Sequence, residues 1–415
     1  MPLQYTILLS RHARFRIDYE ATQPISIRRV EEQPWVLKTL SLGIWRDVEV
    51  MEGLLRAFPR TLASVWAHFD SGGCKTGVGY NRSSRLVQKP AEFLAELKDF
   101  QPLGESFSVD SSQLRTYFQK FGIRSAHMPR RNELFQAPLV IIPQSPGDDP
   151  VKPRAFRSAH PLAFSQSYYG YSCAGHAESD VLSALLYLLP HSTLFSYFCL
   201  MTSRRTGFDR QTFNKGEFDL LPFPDIVELT ALEKRVIVEL AHELEYGRRK
   251  PWGEIDAFLF RLYKLDEDAI QVARDTIFSA ASYRLKGRVA LDQTRHQHRD
   301  SFRLELSDIL EPYFDVCGAT VVIEEAHGRP DAWQQPWRFL AISCAHKEIS
   351  VGVDMLRLAM EEANKRSASR IIVRAPCRRG LLLGLLDQRR WWTISRARLC
   401  GQYIIRHHLE AFGLT

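Results

Sequence analysis

The sequence predicts an α+β fold, and three observations favour it. Short strand-like runs alternate with amphipathic helices in the first 150 residues, two strongly apolar helices follow, and strands return after residue 302. A chain of 415 residues has room for two or three domains with full cores. We place the predicted boundaries at residues 1–225, at a helical segment and linker over 226–300, and at an arginine-rich α+β domain over 301–415.

The secondary structure of the first 153 residues is predicted from the periodicity of their apolar residues. Apolar residues at helical spacing indicate helices over 45–58 (WRDVEVMEGLLRAF) and 90–100 (PAEFLAELKDF). Strands are predicted at RFRIDY, SFSVD and PLVIIPQ, and the run SPGDDPVKP at 145–153 is typical of an exposed loop.

From residue 177 the pattern becomes helical. The runs 177–189 and 192–203 are apolar nearly all round and are expected to be buried, with Pro190 between them and Ser192 as the N-cap of the second. Amphipathic helices follow over 231–249, 254–265 and 266–282. The polar stretch 285–300 is predicted to be a linker.

The last domain is predicted to contain three strands and two helices. The strands are ATVVIEE, WRFLAIS and SRIIVRA; a helix covers 353–366, and an arginine-rich helix over 393–412 starts at Ser395 as its cap.

The positive charge of the chain is concentrated near its end. Residues 366–408 contain ten arginines and one acid, a net charge of +9, whereas the whole chain carries +7 and the remainder therefore −2. Acid-free basic stretches also occur at 75–89 and 111–132. A local basic surface favours a polyanionic partner such as nucleic acid, and a solvated or interdomain arginine face is the alternative.

The sequence offers little for catalysis, metal binding or a membrane. Seven scattered cysteines without a CxxC motif favour reduced thiols in a cytoplasmic protein, and no apolar run reaches the roughly 20 residues of a membrane span. GGCKTGVG lacks phosphate-loop spacing, GYSCAG lacks the second glycine of a nucleophile elbow, and HQHR has no suitably spaced further ligand. We therefore expect no catalytic residue, no metal and no cofactor.

Five blocks, taken in order, resemble the target recognition region of bacterial N6-adenine DNA methyltransferases, including the enzymes fused to restriction nucleases. They are GVGYNRSSRLVQKPAEF, RRNELFQAPLVIIPQSPG, LAFSQSYYGYSCAG, the helix pair from Leu182 to the Leu-Pro-Phe-Pro exit at 221–224, and EIDAFLFRLYKLDEDAIQVA. The resemblance covers about half of the chain, over residues 75–285. It implies a methyltransferase-type target recognition domain with a helical extension.

The resemblance implies sequence-specific recognition of double-stranded DNA. The catalytic part of the family is missing, since no Pro-Pro dipeptide occurs anywhere in the chain. The expectation is a non-catalytic specificity subunit of a restriction-modification-like or antiphage defence complex, with a separate methyltransferase or nuclease subunit. A nuclease site in the C-terminal domain and a protein-assembly scaffold are the alternatives.

The stretch RRTGFDRQTFNKGEFDLLPFPD at 204–225, here called the hook, is expected to face DNA. Its arginines suit phosphates or guanine, asparagine suits adenine, and prolines fix the exit of the chain. The alternative is a surface loop whose arginines pair with Asp209, Glu217 and Asp219. The candidate DNA contacts of the hook are Arg204, Arg205, Arg210, Asn214 and Lys215.

Further candidates lie in the two earlier blocks and in the C-terminal domain. The other predicted DNA contacts are Lys75, Tyr80, Asn81, Arg82, Arg85, Gln88, Arg130, Arg131, Gln144 and Gln166. Phosphate or partner contacts are predicted at Arg378, Arg379, Arg389, Arg390, Trp391, Arg396 and Arg398, since tryptophan and arginine are enriched in interface hot spots. For the Trp pair at 391–392 the alternative is a buried strand.

Overall fold

The computed structural model confirms the α+β class, with 55% helix and 20% strand. It describes residues 25–69, 75–81, 86–100, 119–120, 124–144, 155–204, 212, 214–285, 293–326, 337–344, 351–365, 368–375 and 380–413. The predicted strands RFRIDY and SFSVD and the predicted loop 145–153 lie outside these residues.

The described helices are numbered here in chain order. They are α1 (Ile27–Glu32), α2 (Trp35–Leu42), α3 (Trp45–Ala57), α4 (Leu62–Phe69), α5 (Glu92–Glu96), α6 (Ser179–Leu188), α7 (Thr193–Thr202), α8 (Lys215–Phe218), α9 (Ala231–Tyr246), α10 (Trp252–Leu262), α11 (Glu267–Leu285), α12 (His296–Asp315), α13 (Val353–Lys365) and α14 (Ile394–His408).

The described strands form four sheets. The strands are β1 (Lys75–Val78), β2 (Lys89–Pro90), β3 (Lys98–Phe100), β4 (Gln119–Lys120), β5 (Ser125–Ala126), β6 (Leu139–Pro143), β7 (Phe156–Ser158), β8 (Leu162–Phe164), β9 (Tyr168–Ser172), β10 (Val321–Glu325), β11 (Trp337–Cys344), β12 (Arg370–Arg374) and β13 (Gly380–Leu386). Their orders are β1-β9-β6-β7, β4-β3-β8, β2-β5 and β10-β11-β13-β12.

Contacts divide the chain into two compact units. The central unit covers Glu49–Ala273, and the terminal unit combines Met1–Val48 with Arg274–Thr415. Helix α9, predicted to lie in a separate helical segment, packs against α6 inside the central unit.

The central unit is built around β9, which pairs with both β1 and β6 in antiparallel register. Close packing at this strand requires a glycine. A Cβ atom placed on Gly170 would lie 2.0 Å from Cζ of Phe164, a ring that is fully buried. The Phe164 ring of β8 therefore packs against β9 more closely than any larger residue at position 170 permits.

The two apolar helices are confirmed and are buried. Ser192 caps α7 by accepting a hydrogen bond from the backbone N–H of Phe195 (3.1 Å), and Pro190 lies in the turn before it, where its missing N–H is harmless. Leu185, Phe195 and Phe198 are at most 1% exposed, so the pair forms part of the core.

The terminal unit is an antiparallel sheet covered by helices. All seven residues of β13 are buried, and the ring of Phe302 on α12 lies 5.1 Å from that of Trp392. Helices α12 and α14 approach closely because Gly401 has no side chain: a Cβ there would lie 2.5 Å from Cγ2 of Ile309. Burial on both faces explains why β13 has no alternating pattern.

Three predicted elements are corrected. The helix predicted over 90–100 is only α5, followed by β3, whose Asp99 and Phe100 are buried. The predicted linker 285–300 contains the start of α12 at His296. The cap of α14 is Thr393 rather than Ser395, since the Thr393 hydroxyl accepts from the backbone N–H of Arg396.

Candidate nucleic-acid interface

Polar residues from three separate segments meet at one end of the β1-β9-β6 sheet. Val78 and Ile142 both pair with Tyr169, so the chain leaving β1, the chain leaving β6 and the chain entering β9 lie side by side. Backbone hydrogen bonds continue this arrangement beyond the strands. The N–H of Gln166 donates to the carbonyl of Tyr80 (2.8 Å), and the N–H of Gln144 donates to that of Ser167 (3.0 Å).

A fourth segment joins this end of the sheet through Arg130. Its Nε donates to the carbonyl of Gly79 at 3.1 Å, and its backbone has a φ of 70°. The backbone N–H of Asn81 donates to the carbonyl of Met128 at 3.0 Å. We call the cluster of Asn81, Arg130, Gln144 and Gln166 the polar end; it brings together residues predicted from sequence as DNA contacts.

The side chains of the polar end are accessible to different degrees. Arg130 and Gln166 are exposed, while Asn81 and Gln144 are half-buried. The Nε2 amide of Gln144 donates to the backbone carbonyl of Gln166 at 2.5 Å. This hydrogen bond holds the turn before β9, so Gln144 supports the turn while Gln166 is presented to solvent.

Arg131 and Gln88 are also exposed, near the polar end in sequence. Arg131 is the N-cap residue of a short 3-10 helix, Asn132–Phe135. The Nε2 of Gln88 donates to the carbonyl of Leu86 at 2.8 Å.

Tyr80 is buried rather than presented to a ligand. Only 3% of it is exposed, and its hydroxyl donates to the carboxylate of Asp99 at 3.0 Å. Burial, together with the charge of Asp99, raises the pKa of the adjacent Tyr168 to about 12. The burial of Tyr80 departs from the predicted role in base contact, because its aromatic ring fills the core.

Lys75 is not part of the polar end. It is half-buried and pairs with Ser172, at the opposite end of β1. Lys75 and Val78 lie at opposite ends of β1. The basic stretch 75–89 therefore does not lie at one place in the fold, which the sequence alone does not show.

The base of the hook is closed by Glu217. Its carboxylate accepts hydrogen bonds from the backbone N–H groups of Arg204 and Asn214, both at 2.9 Å. The side chains of Arg204 and Asn214 are exposed. The predicted alternative gave Glu217 an arginine side chain as its partner, but its described hydrogen bonds go to backbone N–H groups.

Lys215 is half-buried and forms an ion pair within the protein. Its Nζ lies 2.5 Å from Oδ2 of Asp219 and 5.1 Å from the centre of the Tyr171 ring. The hydroxyl of Tyr171 donates to the other oxygen of Asp219 at 2.7 Å, and burial raises the pKa of Tyr171 well above its usual value. Lys215 therefore stabilises the packing of α8 against β9. Its charge is paired with Asp219, whereas the sequence predicted a contact with phosphate.

Helix α8, in the second half of the hook, packs against the same sheet as the polar end. The Tyr169 hydroxyl hydrogen-bonds the backbone of Lys215, and Phe218 packs edge-on against Tyr171 at 5.5 Å. Helix α8 thus runs along β9 with its start nearer Tyr169, the residue paired with Val78 beside the polar end.

The exit from the hook is fixed by hydrogen bonds around the two prolines. The carbonyl of Pro222 accepts from the hydroxyl of Tyr263 at 2.7 Å, and the N–H of Phe223 donates to the carbonyl of Arg60 at 2.9 Å. The prolines themselves need no hydrogen-bond acceptor, since they have no backbone N–H.

Six predicted contacts lie outside the described residues. They are Arg82, Arg85, Arg205, Arg210, Arg378 and Arg379.

The arginines of the terminal unit are largely used within that unit. Arg390 and Arg396 are 9% and 8% exposed, and their guanidinium carbons lie 4.8 and 4.6 Å from the ring centre of Trp391. Arg389 lies 3.4 Å over the ring of Phe278, and Arg398 pairs with Glu305 at 2.5 Å.

The burial of Trp391 differs from the partner-binding surface that the sequence predicted. Trp391 is 7% exposed and donates from Nε1 to the side chain of Gln388 at 3.2 Å. An interface hot spot needs an accessible aromatic side chain, whereas this one is packed between cations.

The described residues contain neither a metal-binding cluster nor a single membrane-spanning helix. No group of three or more His, Cys, Asp and Glu side chains in that part of the chain is arranged to hold a metal ion. No single helix there has the length and apolarity to cross a membrane; α6 and α7, joined through His191 and bent by 70°, meet the criterion only as a pair.

No protein-family model matches the chain, and no curated protein matches it either.

Proposed function

We propose that this chain is a sequence-specific recognition subunit for double-stranded DNA in a restriction-modification-like or antiphage defence complex. In this proposal the methyltransferase or nuclease activity belongs to a separate subunit. The polar end and the exposed residues of the hook contact the DNA.

The supporting observation is the convergence at the polar end. Asn81, Arg130, Gln144 and Gln166 come from segments up to 85 positions apart, yet backbone hydrogen bonds hold them at one end of one sheet. The exposed Arg130 and Gln166 carry a guanidinium group and an amide, which read guanine and adenine in the major groove, while Gln144 supports the turn. A rigid sheet supplies the fixed positions that base readout requires.

The charges of the hook support a contact with phosphate. Glu217 is occupied by backbone N–H groups and Asp219 by Lys215 and Tyr171. These two carboxylates therefore already have partners, and the side chain of Arg204 is exposed. An arginine in this position suits a phosphate oxygen, and each such contact adds to the salt dependence of binding.

The test is a selection of bound duplexes from a randomised DNA pool, with the purified chain, without metal, at two salt concentrations. The proposal predicts enrichment of one short motif that persists at the higher salt. Binding without enrichment that disappears as salt rises would show phosphate contact alone and would refute recognition by the isolated chain.

Substitutions then connect binding to the surface. Arg204→Ala is expected to weaken binding of all duplexes by a similar factor, whereas Gln166→Ala is expected to relax the preference for the enriched motif. Arg261→Ala is the matched control, because Arg261 is an exposed arginine on α10 in the same unit. Unchanged binding by Arg204→Ala and Gln166→Ala would exclude this surface.

A further inference from the structure

Three exposed apolar residues lie on the two segments that carry β2 and β5, beside the polar end. Leu86 is 47% exposed, Val87 80% and Met128 44%. Strand β2 pairs with β5 through Lys89 and Ala126, and extending that register by two residues places Val87 opposite Met128. A hydrogen bond of 3.0 Å between the ring Nδ1 of His127 and the carbonyl of Val87 supports this placement. We call these three residues the apolar patch.

The apolar patch is continuous with the polar end. Asn81 and Met128 form a β-bridge, with hydrogen bonds of 3.0 and 3.4 Å between their backbones, and Arg130 follows two residues later. Single exposed apolar residues are ordinary on protein surfaces. Three that adjoin a cluster of amides and a guanidinium form a mixed surface, which suits a ligand with both apolar and polar groups.

The charge around the apolar patch favours a polyanion as that ligand. The described stretches 86–91 and 124–131, which contain the patch, have four exposed cations, Lys89, Arg124, Arg130 and Arg131, and no aspartate or glutamate. Glu92, which follows the first stretch, pairs with Arg124 at 3.8 Å, so the other three cations are left to set the charge of this surface. Such a surface attracts DNA and opposes basic protein partners.

The edges of the bases in the DNA major groove include one apolar group, the C5-methyl of thymine. We propose, on the basis of the function proposed above, that Val87 and Met128 contact thymine methyl groups in the major groove. The patch then makes thymine part of the recognised sequence, while the polar end contacts neighbouring base edges.

The test compares duplexes that contain thymine with the same duplexes made with deoxyuridine, which lacks only the methyl group. Fluorescence anisotropy with the full chain measures both affinities, on a mixed-sequence duplex and on the enriched duplex. Each buried methyl contributes about fourfold in affinity, so the wild type is expected to bind the deoxyuridine duplex at least about fourfold more weakly.

Matched variants separate the patch from other surfaces. Met128→Gln and Val87→Asn keep the approximate size of the side chain and remove its apolar end. Each is expected to lower the thymine-to-deoxyuridine ratio, and the double variant is expected to bring it close to one. Leu232→Gln and Val227→Asn are the controls, because these residues are 67% and 70% exposed in the same unit, and they are expected to keep the wild-type ratio.

Three results would overturn the inference. Equal affinity of the wild type for the two duplexes, with DNA bound well, would refute methyl contact and leave the proposed function standing. An unchanged ratio in both patch variants would place the methyl contact elsewhere. Failure to bind any duplex would refute the proposed function together with this inference.

Discussion

The buried histidine between α6 and α7 should make the central unit sensitive to acid. His191 is 2% exposed; its ring is stacked 5.6 Å from Trp252, and its Nδ1 lies 2.8 Å from the carbonyl of Tyr187. Its Nε2 is buried, and among the described residues it has no hydrogen-bond partner. Burial lowers the pKa of His191 from 6.5 to about 4, because a charged ring has no solvation there.

The sign of the effect follows from proton binding. Between pH 6.5 and 4 the unfolded chain binds the proton and the folded chain does not, so stability is complete above pH 6.5 and falls as the pH decreases. At pH 4.5 the loss in the free energy of unfolding is about 2.5 kcal/mol.

Urea unfolding followed by tryptophan fluorescence at pH 7.5 and pH 4.5 measures this loss. His191→Phe keeps an aromatic ring against Trp252 and removes the titrating group, so its stability is expected to fall by about 2.5 kcal/mol less than that of the wild type over this range. His160→Gln is the control, because His160 is exposed. The same pH dependence in the wild type and in His191→Phe would refute the reasoning.

Three substitutions test local features of the fold, each by urea unfolding. Gly170→Ala is expected to destabilise the central unit by about 1–3 kcal/mol, because the new methyl group overlaps the ring of Phe164; no loss would show that the sheet can relax there. Glu217→Ala is expected to cost about 1–2 kcal/mol, since it leaves two backbone N–H groups of the hook without their acceptor, and equal stability would contradict its role at the base. Thr393→Ala is expected to cost about 1 kcal/mol through loss of the α14 cap, whereas Thr393→Ser should retain most of it; Ser395→Ala matching or exceeding the loss would contradict the assignment of the cap.

Elements with a strong local signal were predicted well. The apolar pair α6 and α7, the Ser192 cap and the helices α9 to α11 follow from periodicity and capping residues alone. Strand β13 was missed because GLLLGLL is buried on both faces and has no alternation. The helix predicted at 90–100 was wrong beyond Glu96, because the pairing of β3 with β8 overrides the helical pattern.

The candidate site could be predicted only as a set of residue types. Asn81, Arg130 and Gln166 were predicted as separate contacts, and strand register alone brings them together. Sequence gave no means to tell the exposed Arg204 from the paired Lys215, since the ion pair with Asp219 and the Tyr171 ring depend on tertiary packing. The run of arginines near the end of the chain was similarly misleading, because stacking on aromatic rings uses several of them internally.

The apolar patch has a signal in the sequence. Leu86 and Val87 follow directly after the basic-polar run YNRSSR, and Met128 precedes Pro-Arg-Arg. Apolar residues inside acid-free basic segments carry no periodicity and were therefore assigned to no element.

Base readout by the polar end is tested most directly by the ratio of affinities for the enriched duplex and for a scrambled duplex of the same composition. The ratio is measured for the wild type, for the double variant Arg130→Ala/Gln166→Ala and for Arg235→Ala, an exposed arginine on α9. We expect the double variant to reduce the ratio roughly thirtyfold or more, at about 1–3 kcal/mol for each of the two lost base contacts, while Arg235→Ala keeps it. An unchanged ratio in the double variant would show that the DNA sequence is read elsewhere or not at all.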